Sequence, residues 1–207
     1  MGTNIRPLGA PGDLGWVVMV HGEDYAGEFG WDATFEALVA RIVADYATQT
    51  DAATANPVEA ADAATDSVAA DAATDSAAAD RSGAWIAELD GERVGCVFCV
   101  PYDETTAQLR VLLVRRQARG HGLGGALVDA CLDFARDQGY QRVRLWTTDV
   151  LTAARRIYLD RGFHLVDEQP RRRTFGADLV TQTYELSLTG PDDVDLAALA
   201  RIPDARA

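Results

Sequence analysis

The chain has 207 residues, of which 48% are hydrophobic, and a formal net charge of −13 at pH 7. This size and apolar content suit one globular domain, and the apolar runs are too short to predict a membrane-spanning helix. The acidic balance argues against a nucleic-acid-binding protein, which needs a basic surface. The first residues lack the cationic and apolar stretches of a secretion signal, so we expect a cytoplasmic location.

In chain order, the residue pattern first predicts a helix that begins after Asp32, a suitable N-cap residue. Apolar side chains recur there at helical spacing. They are Phe35, Leu38, Val39, Ile42, Val43 and Tyr46.

The next segment is rich in Ala, Asp and Thr, and two nearly identical nine-residue units begin at Asp62 and Asp71. It has almost no large apolar side chains and therefore cannot bury enough surface to offset the entropy of ordering. We interpret residues 49–82 as a disordered insertion in a domain that spans residues 1–190. Residues 191–207 read as a C-terminal tail.

Two alternating segments, residues 84–89 and 93–100, flank Asp90-Gly91 and predict a β-hairpin. The chain has three cysteines, which are Cys96, Cys99 and Cys131. Their apolar surroundings, without a second Cys pair or a nearby His, favour buried reduced thiols over a zinc or redox site.

The most informative segment reads Arg-Gly-His-Gly-Leu-Gly-Gly-Ala-Leu over residues 119–127. It lies between an apolar strand, residues 109–114, and an amphipathic helix that ends near Gln138. Glycines let the backbone turn sharply and approach a ligand closely, and the helix points its partly positive end at the same place. The pattern therefore predicts a phosphate-binding turn.

Two other phosphate-binding motifs fit less well. A P-loop needs Lys and Ser or Thr after the last glycine, whereas Ala126 and Leu127 follow here. The spacing Gly120-x-Gly122-x-x-Gly125, with Asp149 downstream, formally matches the dinucleotide fingerprint of nicotinamide dehydrogenases. That motif places its first glycine directly after the strand, however, and here five residues intervene.

The remaining pattern predicts a strand over residues 143–146 and a helix over 153–161, capped by Thr152 and ended by Gly162. Two strands follow near 163–168 and 179–188, and the run 171–173 of three arginines reads as a solvated loop. We expect an α/β (mixed α+β) domain with a central, twisted, mixed but mostly antiparallel sheet of six to seven strands and about four flanking helices.

The segment Arg119-x-x-Gly122-x-Gly124 resembles the acetyl-CoA pyrophosphate motif of the GNAT N-acetyltransferase superfamily, Q/R-x-x-G-x-G/A. The segment from Ala154 to Tyr158, followed by Gly162-Phe163, is similar to the family's A-x-x-L-Y…G-F segment. Residues 5–7 and Asp13 look like its first strand and first helix. Residues 21–36 are similar to the acetyltransferase half of MarR-GNAT fusion proteins.

The resemblance implies acetyl-CoA as co-substrate and no metal. It implies that the backbone from residue 112 to 114 pairs with the pantetheine arm, and that a splayed N–H near Val114 stabilises the reacting carbonyl. Other arginines that could contact the phosphates are Arg115, Arg116, Arg155 and Arg156. The cofactor-binding residues that it implies are Leu112, Leu113, Val114, Arg119, Gly120, His121, Gly122, Leu123, Gly124 and Gly125.

By the same resemblance, Tyr158 donates a hydrogen bond to the departing sulfur. Many relatives carry a Glu in the strand before the turn, but this chain has none there, so Glu28, Glu36 and His21 are left as alternative bases. Leu151 stands where relatives often have Asn. The aromatic side chains that could line an acceptor pocket are Phe29, Trp31, Trp146 and Phe175.

We therefore expect an N-acetyltransferase that uses direct, ternary-complex transfer to the primary amine of a small molecule or peptide. The alternative is a non-catalytic acyl-CoA sensor or interaction module. Neither a nucleic acid nor a membrane is an expected partner, and a homodimer is possible.

Overall fold

The computed structural model describes residues 2–54 and 81–189. Its elements in chain order are β1 (Thr3–Pro7), α1 (Asp13–Phe29), α2 (Ala33–Thr54), β2 (Gly83–Leu89), β3 (Glu92–Pro101), β4 (Thr106–Val114), α3 (Leu123–Asp137), β5 (Arg142–Thr148), α4 (Thr152–Asp160), β6 (His164–Glu168), β7 (Arg172–Thr174), β8 (Ala177–Leu179) and β9 (Thr181–Ser187). A 3-10 turn, Arg116–Ala118, follows β4.

Seven strands form one sheet in the order β1-β2-β3-β4-β5-β9-β6, and a separate hairpin joins β7 to β8. All neighbours in the large sheet are antiparallel except β4 and β5, which are parallel. One hydrophobic cluster packs α3 and α4 against the sheet, and a second packs α1 and α2 against it. Helices thus cover both faces, and the expected α/β architecture is confirmed.

The parallel pair β4–β5 separates at its end. Pairing runs from Thr106 opposite Arg142 to Leu109 opposite Leu145, although both strands continue further. Beyond that point Val111 has φ +46°, and the register between β3 and β4 shifts there. A β-branched residue in the left-handed region is strained, and such strain often marks a functional position. The bulge and the separation together open a gap in the sheet.

Most local predictions agree with the structure. Asp90 and Gly91 both have positive φ, as a two-residue hairpin turn requires. The Oδ1 of Asp32 accepts a hydrogen bond from the Thr34 N–H at 3.0 Å, at the start of α2. Gly139 has φ +75° after α3. All three cysteines are free and buried.

Several predictions need correction. Thr152 is the first residue of α4 rather than its cap; Leu151 precedes the helix and makes no side-chain cap bond. The run of three arginines is not a simple loop, because two of them lie in β7. Helix α2 extends to Thr54, so it covers the beginning of the predicted insertion. At the other end of the predicted insertion Arg81 is ordered, and its Nη1 donates to the Glu104 carbonyl oxygen at 2.9 Å. Residues 55–80 and the predicted tail lie outside the described residues.

Candidate active site

The turn between β4 and α3 presents unpaired backbone donors. Gly120 and Gly122 have φ +86° and +76°, conformations that glycine adopts without strain. Gly122 is the N-cap of α3 and makes no side-chain cap bond, and the first turn of the helix holds no acidic residue. No backbone N–H from Gly120 to Gly125 donates to another residue in the described part of the chain. The segment therefore offers an anion several N–H donors at a helix N-terminus.

The four glycines of this segment line a cavity of about 510 Å³. Nine of the ten cofactor-binding residues that the sequence predicts line it. They are Leu112, Leu113, Val114, Arg119, Gly120, Gly122, Leu123, Gly124 and Gly125. The tenth, His121, does not line the cavity, because its imidazole Nδ1 turns back to within 3.2 Å of the Ala118 carbonyl oxygen. Only its backbone can contribute to the turn.

Close packing between α3 and α4 keeps this cavity narrow. A Cβ atom at Gly124 would lie 2.8 Å from Cδ1 of Ile157, and one at Gly125 would lie 2.5 Å from Nη2 of Arg161. Both partners also line the cavity. These two glycines therefore allow α4 to approach the first turn of α3, a requirement separate from the backbone conformation at Gly120 and Gly122.

Arg119 forms a bidentate ion pair with Glu28 of α1 at the cavity wall. Its Nη1 and Nη2 donate to the two carboxylate oxygens at 2.8 and 2.5 Å. The hydrogen bonds from Arg119 lower the pKa of Glu28 below its usual value. A carboxylate held in this way is a weaker base than a free one, so the structure favours an electrostatic role for Glu28 over the predicted base role.

The other arginines that the sequence suggests as phosphate contacts do not line the first cavity. Arg115 pairs with Asp24 at 3.3 Å, and none of Arg115, Arg116, Arg155 and Arg156 lines the cavity. Arg161, which the sequence did not single out, does line it and forms a bidentate pair with Asp129. Asp149, the acidic residue of the formal dinucleotide pattern, pairs with Arg171.

A second cavity, of about 370 Å³, adjoins the first. Four residues border both cavities, and they are Tyr25, Leu112, Leu151 and Ala154. The wall of the second cavity includes several aromatic side chains, among them three of the four predicted rings, Trp31, Trp146 and Phe175. The fourth predicted ring, Phe29, lines the first cavity instead. The β7–β8 hairpin supplies Phe175, whose ring centroid lies 5.0 Å from that of Trp31.

Tyr158 of α4 lines the second cavity and is 4% exposed. Burial raises the pKa of its phenol above the usual value, and neighbouring Tyr25 and Cys131 raise it further. The group therefore stays protonated and can donate a hydrogen bond, while full loss of its proton is more unfavourable than for an exposed tyrosine. This arrangement fits the hydrogen-bonding role that the sequence predicts.

His21 lies in the wall of the second cavity and is 1% exposed. Its Nδ1 lies 2.8 Å from the Val17 carbonyl oxygen, and its buried Nε2 has no hydrogen-bond partner among the described residues. Burial lowers the pKa of the imidazole to about 4, although the carbonyls of Val17 and Val111 oppose the shift. His21 is therefore neutral at pH 7 and a weak base.

The lowered pKa of His21 predicts a pH dependence of stability. The imidazole of His21 binds a proton near pH 6.5 in the unfolded chain and near pH 4 in the folded protein. The burial of neutral His21 therefore contributes stability above pH 6.5, and this stability is lost as the pH falls toward 4. At pH 5 the loss is about 2 kcal/mol. Urea unfolding of the wild type and of His21→Phe at pH 7 and pH 5 measures it. An equal loss in both proteins would contradict this assignment.

Glu36, the third predicted base, is exposed in the first turn of α2 and lines neither cavity. Its carboxylate packs over Gly22 of α1, where a Cβ atom would lie 2.7 Å from Oε2. The structure thus places Glu36 at a contact between the two helices and away from the reacting centre.

Comparisons of sequence and of fold relate this chain to known proteins. A family model described as "Acetyltransferase (GNAT) family" matches residues 47–163. N-acetyltransferase 8B of Rattus norvegicus is 43% identical over 87 residues, which are 40% of this chain and 39% of that protein. N-acetyltransferase 8 of the same species is 41% identical over 112 residues, 52% of this chain and 48% of that protein. The matches span about half or less of these curated relatives.

The fold is similar to that of a putative acetyltransferase from Salmonella typhimurium, whose structure was solved with its cofactor acetyl-CoA. The TM-score is 0.64 at 16% identity, with 100% of both chains covered. Among the described residues, no helix of this chain combines the length and the apolar character needed to cross a membrane.

Proposed function

The chain belongs to the GNAT family of acetyltransferases, and from this premise we propose that it transfers the acetyl group of acetyl-CoA directly to the primary amine of a small molecule or peptide. The observation that carries the proposal is the meeting of the two cavities. The cavity with free N–H donors suits a phosphate-bearing acyl carrier, and the aromatic cavity suits an acceptor. Direct transfer requires the acyl carrier and the acceptor to be bound together where the two cavities share a wall.

In the proposed reaction the neutral amine nitrogen attacks the thioester carbonyl carbon. The C–N bond forms, the C–S bond breaks, and the amine proton is lost as the sulfur leaves as a thiol. We assign diphosphate binding to the backbone from Gly120 to Gly125 together with Arg119. We assign to Tyr158 a hydrogen bond to the developing thiolate.

Binding of the carrier's extended arm is the second proposed contribution of the fold. Because β4 leaves β5 after Leu109, the backbone at Leu112 and beyond is available to an amide-containing ligand that enters the gap. The same gap supplies the N–H that polarises the carbonyl. The sequence prediction places that N–H near Val114, and this stays a prediction; the bulge at Val111 supports the proposal that the N–H belongs to this part of the strand.

The proposal assigns no strong base among the predicted candidates. Glu28 is held by Arg119, His21 has a lowered pKa, and Glu36 is outside the cavities. The amine therefore enters in its neutral form or loses its proton through water. At pH 7 a small fraction of molecules of an amine with an ordinary pKa is neutral. That no metal ion takes part stays a prediction.

Calorimetric titration with acetyl-CoA, followed by measurement of CoA release across a panel of amines, tests the proposal. We expect saturable binding and amine-dependent release. Arg119→Gln should weaken binding about tenfold or more, because a charge-assisted contact to phosphate is lost. The matched control is Arg136→Gln, since Arg136 is exposed and pairs with Asp133 at the other end of α3.

Binding without turnover of any amine would contradict the enzymatic proposal and favour a non-catalytic acyl-CoA sensor. Absence of binding would contradict both. The cytoplasmic location, the homodimer and the narrower similarity to the MarR-GNAT fusion proteins stay predictions.

A further inference from the structure

One arginine of the second cavity, which we propose as the acceptor cavity, has no ion-pair partner among the described residues. Arg110 of β4 lines the cavity between residues 108 and 112 and is half-buried. Burial lowers the pKa of its guanidinium, and the charge of Asp45 on α2 opposes this shift. In the described part of the chain, Arg110 forms no ion pair within 4.0 Å, unlike Arg119 and Arg161 at the neighbouring cavity.

The second arginine of this cavity is already partnered. The Cζ of Arg144 lies 4.4 Å from the centroid of the Tyr102 ring, and its Nη1 lies 4.0 Å from Oε1 of Glu185. Among the described residues, neither Asp nor Glu lines the cavity. The charged side chains that line the cavity are therefore both arginines, although the chain as a whole carries −13.

The physical consequence is a preference for anions. A guanidinium that is partly removed from water loses hydration, and a carboxylate that reaches it restores the hydrogen bonds and adds a charge attraction. A cationic substituent at the same place would be repelled. Electrostatics thus distinguish an acceptor that carries a carboxylate from a polyamine or a basic side chain.

An aromatic part of the cavity wall favours an apolar, flat group. Tyr25, Trp31 and Phe35 form a cluster with ring centroids 4.6 to 4.9 Å apart, and Phe175 closes it from the β7–β8 turn, with its centroid 5.1 Å from that of Phe35. Ring faces and edges at this spacing favour contacts with another aromatic or bulky apolar group.

We propose that the acceptor is an amino acid or a similar small amine that carries a carboxylate and a large apolar side chain. Arg110 pairs with the carboxylate, the aromatic cluster holds the side chain, and the amine faces the junction of the two cavities. This assignment rests on the proposed function. The reaction consumes the neutral amine and acetyl-CoA and yields the N-acetyl amino acid and CoA, with the carboxylate unchanged.

Product binding tests the assignment independently of turnover. N-acetyl-L-phenylalanine and N-phenethylacetamide, which differ by the carboxylate, are titrated into the CoA-bound protein by calorimetry. We expect the wild type to bind the carboxylate compound 10- to 100-fold more tightly. Arg110→Gln should remove this preference, Arg110→Lys should restore part of it, and Arg41→Gln, an exposed change on α2, should leave it intact.

Steady-state kinetics provide a second test of the assignment. With phenylalanine, Arg110→Gln should raise KM 10- to 100-fold and change kcat little, whereas KM for phenethylamine should stay the same. Equal use of both amines by the wild type, or a preference for spermidine, would overturn the assignment even if Arg110→Gln did not fold. If no amine is turned over, the proposed function fails, and the product titration still decides whether Arg110 selects a carboxylate.

Discussion

Replacing Gly122 with valine is expected to lower the affinity for CoA at least a hundredfold. The residue has φ +76° and caps the helix whose N–H groups line the cofactor cavity. A β-branched residue disfavours this conformation, so the peptide groups on either side rotate and their donors no longer converge. Losing two charge-assisted hydrogen bonds to phosphate suffices for a change of this size.

Gly139→Val is the matched control for this change. Gly139 follows the other end of the same helix with φ +75°, and a Cβ atom at either glycine meets no atom within 4 Å. Both variants should therefore lose a similar stability of about 1–2 kcal/mol, measured by urea unfolding. Calorimetry should show impaired CoA binding in Gly122→Val alone. Similar losses of affinity in both variants would mean that general destabilisation explains the effect.

Tyr158→Phe is expected to lower kcat by 10- to 100-fold and to leave the affinity for acetyl-CoA unchanged. The ring remains to pack against Phe163, with ring centroids 5.8 Å apart in the wild type, while the donor to the departing sulfur is lost. A hydrogen bond to a charged group contributes about 1.5–3 kcal/mol, which corresponds to this range of rates. Steady-state kinetics with a saturating amine measures it.

Tyr184→Phe controls for the loss of a buried phenol. Tyr184 of β9 is also 4% exposed, and its hydroxyl lies 3.3 Å from the Gln182 side-chain oxygen, but it lines neither cavity. We expect it to leave kcat within about twofold of the wild type, because it contacts no reacting atom. Full activity in Tyr158→Phe would remove Tyr158 from the mechanism.

Glycines and turn residues made several helix and strand boundaries predictable from the sequence. Glycines at residues 120–125 and 139 bracket one amphipathic helix, and Asp90-Gly91 marks one hairpin, so the elements around the cofactor cavity follow from short-range rules. The cavity residues from Arg119 to Gly125 belong to one short sequence motif, whereas Leu112, Leu113 and Val114 were implied by the resemblance to the family.

Other parts of the site depend on contacts between residues that are far apart in the sequence. Glu28 and Arg119 are 91 positions apart, and no local pattern pairs them. Positive φ at Val111 is unexpected, because β-branched residues disfavour it. The sequence predicts a loop over residues 171–173 because three consecutive arginines favour exposure to solvent. The Phe175-Gly176 turn, with both φ values positive, has its glycine in the second position but lacks the usual Asn or Asp in the first.

The shared border of Tyr25, Leu112, Leu151 and Ala154 has a practical consequence for inhibition. A single compound that joins CoA through its sulfur to an amino acid nitrogen by a short acyl linker would occupy both cavities at once. Its second half would bind at a high effective concentration, so its affinity should greatly exceed that of either separate half. The leucine at residue 151 would leave such a linker in apolar surroundings, which favours a hydrocarbon spacer over a polar one.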